Sequence, residues 1–209
     1  MTFSRPSSTP GRMRRIALTG GIACGKSLAG RALRAEGIPV CDADDLAHAA
    51  MQPGTATHRG VVRAFGKDIL DGQGRIDRAH LGRIVFSDDR QRARLNAIVH
   101  PAVRRAYERW LRERRQAGDR VAVVIIPLLF EAGMERGWDE IICVISPRDQ
   151  IIRRLRARGL SQRAAIARIR AQWPLRKKAR QSTHLWINDG SQAAFTRMVR
   201  RTARRWRTL

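Results

Sequence analysis

Short uninterrupted apolar runs alternate along the chain with longer segments in which apolar residues recur every three or four positions. The uninterrupted runs predict buried parallel strands, and the periodic segments predict helices with one apolar face. Five runs fit strands, and they lie at residues 15–19, 37–41, 121–126, 140–145 and 185–187. This alternation predicts an α/β fold in which helices cover a parallel five-stranded sheet.

The periodic segments also locate a helical region between the second and third strands. Helices are predicted at 27–36 and 45–51, followed by shorter helical pieces within 52–99 that include 77–86 and 90–99. A longer helix is predicted to begin at His100-Pro101, because proline suits a first helical turn, where its missing N–H needs no partner. Ser191 is predicted to cap the last helix, which runs towards the end of the chain.

The first strand leads directly into Gly20-Gly21-Ile22-Ala23-Cys24-Gly25-Lys26-Ser27, which has the form G-x-x-x-x-G-K-S of a phosphate-binding loop. Glycines let backbone N–H groups wrap a triphosphate, and the following helix N-terminus adds partial positive charge. Lys26 then reaches the β- and γ-phosphates, and the Ser27 hydroxyl binds Mg²⁺. A chance glycine-rich turn is the alternative, but the strand before it and the helix after it favour a nucleotide site.

Three carboxylates, Asp42, Asp44 and Asp45, follow the second strand. Ligands of parallel α/β sheets bind at the carboxyl ends of the strands, so these side chains are expected on the same side as the phosphate loop. One carboxylate could orient an acceptor hydroxyl and take its proton, while another caps the next helix. Pro127-Leu128-Leu129-Phe130-Glu131 follows the predicted strand at 121–126 and is expected on the same ligand side.

The composition is strongly basic, with a formal net charge of +24 and 38 arginines against 4 lysines. Such charge suggests nucleic acid or an anionic membrane. No nucleic-acid-binding motif accompanies it, so nucleic acid is not expected as the main partner. No apolar run approaches about 18 residues, so no membrane span is expected. Residues 148–180 hold twelve basic side chains, which form either a solvated face or a lid over bound phosphates.

Three cysteines without C-x-x-C spacing indicate a reducing, cytoplasmic environment and no zinc site. Cys24 lies beside a helix N-terminus, where the pKa of a thiol tends to fall. Two interpretations are open for Cys24. It is either a redox-sensitive thiol or simply a small residue that fills the loop.

The motifs of the loop and of the segments after it, taken in chain order, carry a family resemblance. They are Leu18-Thr19-Gly20-Gly21-Ile22, Gly25-Lys26-Ser27, Asp42-Ala43-Asp44, His100-Pro101, Pro127-Leu128-Leu129 with Glu131, Ser146-Pro147 with Gln150 and Arg153, Gln172-Trp173-Pro174-Leu175 with Lys178, and Asn188-Asp189-Gly190. In this order they resemble the dephospho-coenzyme A kinase family over residues 14–206. The resemblance implies a P-loop NTPase three-layer fold with a helical substrate-binding insertion and a short helical lid.

The resemblance also implies a domain plan and a reaction. The first twelve residues hold Ser, Thr, Pro and Gly, and this composition predicts a disordered tail at 1–13. The resemblance implies that one kinase domain follows, with core segments 14–44, 119–147 and 180–209, a helical coenzyme A-binding lobe 45–118 and a lid 148–179. The implied reaction transfers the ATP γ-phosphoryl group to the ribose 3′-hydroxyl of dephospho-coenzyme A, giving coenzyme A and ADP, the last step of coenzyme A biosynthesis. The cofactors would be ATP and Mg²⁺, and the protein a monomer or weak homo-oligomer.

The resemblance assigns roles to individual residues. Asp44 matches the catalytic base, Lys26 a catalytic phosphate ligand, Arg153 a lid arginine and Ser27 the metal ligand. The implied nucleotide-binding residues are Gly20, Gly21, Ala23, Cys24, Gly25, Lys26, Ser27, Leu28 and Asn188. The implied substrate-binding residues are Asp42, Asp44, His100, Pro127, Leu128 and Glu131.

The chain departs from the family pattern at four places. It has Ala23-Cys24 where the family usually has Gly-Ser, Leu28 in place of threonine, Ala157 in place of a second lid arginine, and Ser182-Thr183 in place of Ala-Asp before the last strand. These changes bear on turnover rate more than on reaction type. The alternatives are another small-metabolite or nucleotide kinase, and a nucleic-acid-binding protein that no longer turns over ATP. A signalling GTPase is disfavoured because D-x-x-G after a strand and N-K-x-D are both missing from the sequence.

Overall fold

The computed structural model describes residues 12–208, without the side chains of residues 86 and 87. Its sheet has five strands in the order β2-β3-β1-β4-β5, and the predicted five-stranded parallel sheet is confirmed. The strands are β1 (Arg14–Gly20), β2 (Val40–Asp42), β3 (Val121–Ile125), β4 (Glu140–Ile145) and β5 (His184–Ile187). β1 lies at the centre and pairs in parallel with both β3 and β4, while β5 pairs with the far edge of β4.

Helices connect the strands and account for most of the remaining described chain. They are α1 (Lys26–Ala35), α2 (Ala43–Ala50), α3 (Ala56–Phe65), α4 (Arg78–Ser87), α5 (Asp89–Gln116), α6 (Arg148–Arg156), α7 (Gln162–Arg170), α8 (Leu175–Arg180) and α9 (Gln192–Thr208). A short 3₁₀ helix lies at Lys67–Ile69. Ser191 caps α9 as predicted, since its Oγ accepts a hydrogen bond from the Ala194 N–H at 3.1 Å.

The chain forms two compact units. The sheet unit comprises the chain up to Cys41 and from Leu111 onward, and the helical unit comprises Asp42–Trp110. The core of the sheet unit is the apolar face of the central strands, where Ile16 and Leu18 of β1 have no exposed surface. α1 and α9 pack against each other in this unit and contribute Leu33, Val199 and Trp206 to the same core. Burying a side chain of this size contributes roughly 1.5–3 kcal/mol.

The prediction that a new helix begins at His100-Pro101 is wrong. α5 runs without a break for 28 residues and carries Pro101 in its interior. Val99, Val103 and Tyr107 lie on one face at four-residue spacing and are all buried. Their packing continues across the proline and offsets a helix-interior cost of about 3 kcal/mol.

The first two described residues, Arg12 and Met13, are in contact with the rest of the protein. Of the tail expected at 1–13, residues 1–11 lie outside the described residues. Arg12 donates to the Asp139 carboxylate at 3.1 Å, and Met13 is buried. Within residues 12–208, no helix is both long enough and apolar enough to span a lipid bilayer.

Candidate active site

The phosphate-binding loop follows β1 at the carboxyl edge of the sheet, between the end of that strand and the start of α1. Gly20 has a φ of 142°, and a Cβ there would lie 2.2 Å from the Val144 carbonyl oxygen of β4. Gly25 has a φ of 110°, and a Cβ would lie 2.4 Å from Nδ2 of Asn188. Both positions therefore require glycine for backbone conformation and for space.

The start of α1 has the properties of an anion-binding site. The helix has no side-chain cap and no acidic residue in its first turn, so none of its own side chains offsets its positive end. Lys26 Nζ lies over the loop, donating to the carbonyl oxygens of Gly21 at 2.8 Å and Gly20 at 3.1 Å. Ser27 is exposed in the first turn, and Leu28 beside it is half-buried. This arrangement can bind the phosphates of a nucleotide.

Three side chains from distant segments hydrogen-bond to the backbone of the loop. Gln172 Oε1 accepts from the Ile22 N–H at 2.9 Å, and Arg154 Nη1 donates to the Ala23 carbonyl at 3.2 Å. Asn188 Nδ2 donates to the Cys24 carbonyl at 2.8 Å. Asn188 Oδ1 is buried without a hydrogen-bond partner among the described residues, so the hydrogen-bonding capacity of this oxygen is not satisfied.

Arg154 is a functional candidate that the sequence reasoning missed. The resemblance pointed to its neighbour Arg153, whose side chain is 72% exposed and pairs with Asp149 at 2.9 Å on the same helix. Arg154 instead lies against the loop. A weak signal was available, because Gln150 and Arg154 are four residues apart on α6 and hydrogen-bond at 2.8 Å.

The hypothesis of a low-pKa thiol at Cys24 is wrong. Burial raises the pKa of Cys24, and this effect outweighs the opposite influence of Lys26. Burial also raises the pKa of Cys143, to about 11. Cys24 has no exposed surface, so it fills the loop as a small residue and holds its proton.

A buried ion pair joins the segment after β3 to the middle of α8. Lys178 has no exposed surface, and its Nζ donates to Glu131 Oε1 at 2.8 Å and to the Pro127 carbonyl at 3.0 Å. Glu131 Oε1 also accepts from the Trp173 N–H at 2.9 Å, and the Trp173 ring stacks on Phe130. Two of the predicted substrate-binding residues, Pro127 and Glu131, thus have structural contacts, whereas Leu128 is 40% exposed.

In the helical unit, the two leading aspartates have different surroundings. Asp42 is the N-cap of α2, and its Oδ1 accepts from the Asp44 N–H at 3.0 Å. Asp44 lies in the first turn of α2 with an exposed side chain. Both interpretations of the aspartate cluster therefore stay compatible, with Asp42 as the cap. His100 lies half-buried within α5, and burial lowers its pKa.

A pocket of about 290 Å³ opens in the helical unit, one turn beyond Asp44 along α2. Its lining residues are His48, Met51, Gln52, Asp71, Arg75, Ile76 and Arg78. Arg78 Nη1 lies 3.3 Å from His48 Nδ1, while Asp71 accepts from Arg75 and from the backbone of its own turn. The carboxylate of this pocket is thus already engaged, and the basic side chains dominate its charge.

The residues present suit a magnesium ion that is held mainly by a nucleotide. No cluster of three or more His, Cys, Asp or Glu side chains within the described part of the chain could bind a metal alone. Mg²⁺ in nucleotide sites is usually bound by one or two protein oxygens together with phosphates and water. The exposed Ser27 hydroxyl at the start of α1 is an oxygen ligand of that kind.

Comparison with known proteins agrees with these observations. Residues 14–194 match the model of the family described as dephospho-CoA kinase. The chain is 42% identical to the dephospho-CoA kinase of Geobacillus kaustophilus over 93% of its own length and 97% of that protein. The crystal structure of TT1252 from Thermus thermophilus is similar, with a TM-score of 0.79 and 35% identity over 92% of this chain and 97% of the other.

A second solved structure, the dephospho-CoA kinase from Campylobacter jejuni, has a TM-score of 0.68 and 27% identity over 91% of this chain and 95% of its own. The family match covers the phosphate loop, Asp42, Asp44 and the helices α6, α7 and α8. The chain therefore belongs to the dephospho-CoA kinase family.

Proposed function

We propose that the protein transfers the γ-phosphoryl group of ATP to the ribose 3′-hydroxyl of dephospho-coenzyme A. The observation that carries the proposal is the phosphate-binding loop at the end of β1, with Lys26 over the loop and an uncapped α1 behind it. Membership of the kinase family supplies the donor and the acceptor. The products are ADP and coenzyme A.

On the donor side, the loop N–H groups and Lys26 bind the β- and γ-phosphates and stabilise charge on the transferring group. Ser27 would hold Mg²⁺, which neutralises phosphate charge when bound. Asn188 lies in the segment after β5 that the family resemblance places near the adenine, and it contributes there by holding the Cys24 carbonyl of the loop. Arg153 on α6 is exposed and thus available to close over the phosphates.

On the acceptor side, Asp44 orients the 3′-hydroxyl and accepts its proton as the phosphoryl group transfers. Its position in the first turn of α2 supports this role, because the carboxylate is exposed and Asp42 already serves as the cap. The proton moves from the ribose oxygen to the Asp44 carboxylate, and the ribose oxygen forms the new bond to phosphorus.

The pocket of the helical unit takes the diphosphate group of the same acceptor. His48 lies four residues after Asp44, which is about 6 Å along the helix. In dephospho-coenzyme A, one sugar ring separates the 3′-hydroxyl from the diphosphate, so a group bound at the pocket leaves the hydroxyl near Asp44. Arg75 and Arg78 supply positive charge there, and Met51 and Ile76 supply apolar surface for the start of the pantetheine arm.

The test of the reaction is ADP release from Mg-ATP in the presence and absence of dephospho-coenzyme A. We expect acceptor-dependent release that falls roughly 100-fold or more in Asp44→Asn, in the range seen for loss of a general base. ATP binding should be retained in that variant. Asp45→Asn, the adjacent exposed carboxylate, is the matched control and should stay close to wild type. ADP release that does not depend on dephospho-coenzyme A would overturn the assigned acceptor.

The role of the pocket in binding the acceptor is tested separately, by measuring the KM for dephospho-coenzyme A. Arg78→Gln should raise the KM for dephospho-coenzyme A about tenfold, as expected for a lost charged hydrogen bond, and leave the KM for ATP unchanged. Arg63→Gln, an exposed arginine of α3, removes the same charge outside the pocket and should change neither value. Equal effects of the two substitutions would show that only general charge is involved.

A further inference from the structure

Ala23 is held in an unusual backbone conformation within the phosphate loop. Its φ is 56°, which makes it the one residue other than glycine with a positive φ in residues 12–208. An L-residue is disfavoured there because its Cβ crowds the following carbonyl. Such a conformation persists only where the surrounding structure enforces it. The side chains that contact the loop should therefore include the group that enforces it.

Arg154 has the required contacts. One of its terminal nitrogens donates to the Ala23 carbonyl at 3.2 Å and to Ser146 Oγ at 2.8 Å. The other donates to Gln150 Oε1 at 2.8 Å and to the Asn188 carbonyl at 3.3 Å. The guanidinium group thus bridges the loop, α6 and the segments that follow β4 and β5. A planar group with several fixed donors suits this place, and a lysine ammonium group does not.

We infer that Arg154 is a positioning residue that holds Ala23 in the left-handed conformation and so keeps the loop N–H groups aimed at the phosphates of ATP. This inference rests on the proposed nucleotide-binding role of the loop. Asn188 supports the next carbonyl, that of Cys24, but leaves Ala23 to Arg154. Without Arg154, the loop relaxes towards conformations in which Ala23 has a negative φ and its neighbouring N–H groups point away from the ligand.

If Arg154 holds Ala23 in this conformation, a residue at position 23 that needs no support should make Arg154 less important. Glycine adopts a positive φ without strain, so a loop with the substitution Ala23→Gly would keep its shape without help from Arg154. The effect of removing Arg154 should therefore depend on which residue occupies position 23. A guanidinium group that only stabilised the fold, or only attracted ATP by its charge, would have the same effect in both backgrounds.

The experiment measures ATP affinity by isothermal titration calorimetry, without acceptor, for the four combinations of Arg154→Ala and Ala23→Gly. We expect Arg154→Ala to weaken ATP binding about tenfold when Ala23 is present, the loss typical of a charged hydrogen bond. In the Ala23→Gly background, the same change should weaken binding less than about threefold, because less strain has to be held. Arg148→Ala, at the exposed start of α6, is the control for charge and should have little effect in either background.

Two further variants separate the shape of the Arg154 side chain from its charge and from its effect on folding. Arg154→Lys retains the charge but lacks the planar fork, and it should behave like Arg154→Ala. If Arg154→Ala does not fold, Arg154→Gln in both backgrounds provides the same comparison. In steady-state assays, the loss should appear in kcat/KM for ATP and leave the KM for the acceptor unchanged.

Equal losses from Arg154→Ala in the two backgrounds would overturn the inference, as would a loss no larger than that of Arg148→Ala. Failure of the proposed acceptor is distinguishable, because ATP binding is measured without it. A wild-type protein that binds ATP but does not phosphorylate dephospho-coenzyme A overturns only the acceptor. A wild-type protein that does not bind ATP overturns the inference together with the nucleotide site.

Discussion

The phosphate loop is held by hydrogen bonds from residues far away along the chain, whereas the caps and turns of the helical unit are held by residues next to them in the sequence. Gln172, Arg154 and Asn188 bond to the loop backbone across sequence separations of 150, 131 and 164 residues. In the helical unit, Thr55 caps α3 through the N–H of His58, three residues away. Asp71 closes its own turn through Gln73 and Arg75, within four residues.

The difference shows which parts of the molecule depend on the complete fold. Local caps and turns form when a few neighbouring residues adopt their conformation, so they stabilise their own segment. The loop geometry exists only after the sheet and the segment that carries Arg154 and Gln172 have come together. Substitutions at contacts near the loop should therefore have large and non-additive effects on the free energy of unfolding, whereas those at the caps and turns of the helical unit should have small and local effects on it.

The largest expected effect on stability is at the buried ion pair near the loop. Lys178→Met removes one partner and leaves the Glu131 carboxylate without its cation, which should cost about 3 kcal/mol of unfolding free energy. That corresponds to a fall in Tm of about 10 °C for a protein of this size. Urea denaturation and thermal melting followed by circular dichroism measure it.

A second variant checks the cause of this loss. In the double variant Lys178→Met with Glu131→Gln, the uncompensated charge is gone, so part of the stability should return. A double variant that loses the sum of the two single losses would mean that packing alone, and not charge pairing, explains the effect. The contrast between the two regions would then be weaker than the contacts suggest.

The helix cap of the helical unit should have a smaller effect. Thr55→Ala removes the acceptor for the His58 N–H and should cost about 1 kcal/mol of unfolding free energy. Thr55→Ser keeps the hydroxyl and should recover most of the loss. Urea denaturation measures both variants, and the KM for ATP should stay at the wild-type value. A change in ATP affinity on Thr55→Ala would show that the cap is not a local contact.

The smallest expected effect is a pH dependence from His100. Burial lowers its pKa, so the unfolded chain binds the proton more tightly than the native protein. Stability should therefore fall as the pH drops below the unfolded value of about 6.5, and the loss should level off below the folded pKa. Unfolding free energies at pH 7.5 and pH 5.5 measure it. His100→Gln should show a smaller decrease, and an unchanged decrease would contradict the assignment.

Much of the fold could be predicted because it depends on short patterns. The apolar runs located all five strands, and G-x-x-x-x-G-K-S located the loop between β1 and α1. The cap at Ser191 follows from residue type alone. These features arise from side-chain periodicity and from the chemistry of a few adjacent residues, which are visible in any window of the sequence.

Other features could not be predicted because partners far apart along the chain decide them. Pro101 was expected to begin a helix, but packing of Val99 and Val103 on both sides of it keeps α5 continuous. The helix N-terminus suggested a low pKa for Cys24, but burial in the assembled sheet unit raises it. The four-residue spacing of Gln150 and Arg154 was too weak a pattern to show that Arg154, and not Arg153, contacts the loop.

The sequence by itself determined the five strands of this protein, the position of its phosphate loop and the family to which it belongs. These depend on which residues stand next to one another or recur at a helical or strand period. Only the tertiary structure decided how the loop is held, because the carbonyl groups of Ala23 and Cys24 accept hydrogen bonds from a guanidinium group and an amide that folding brings from 131 and 164 residues away. Strain and burial are properties of assembled surroundings, so they appear only when the chain has folded.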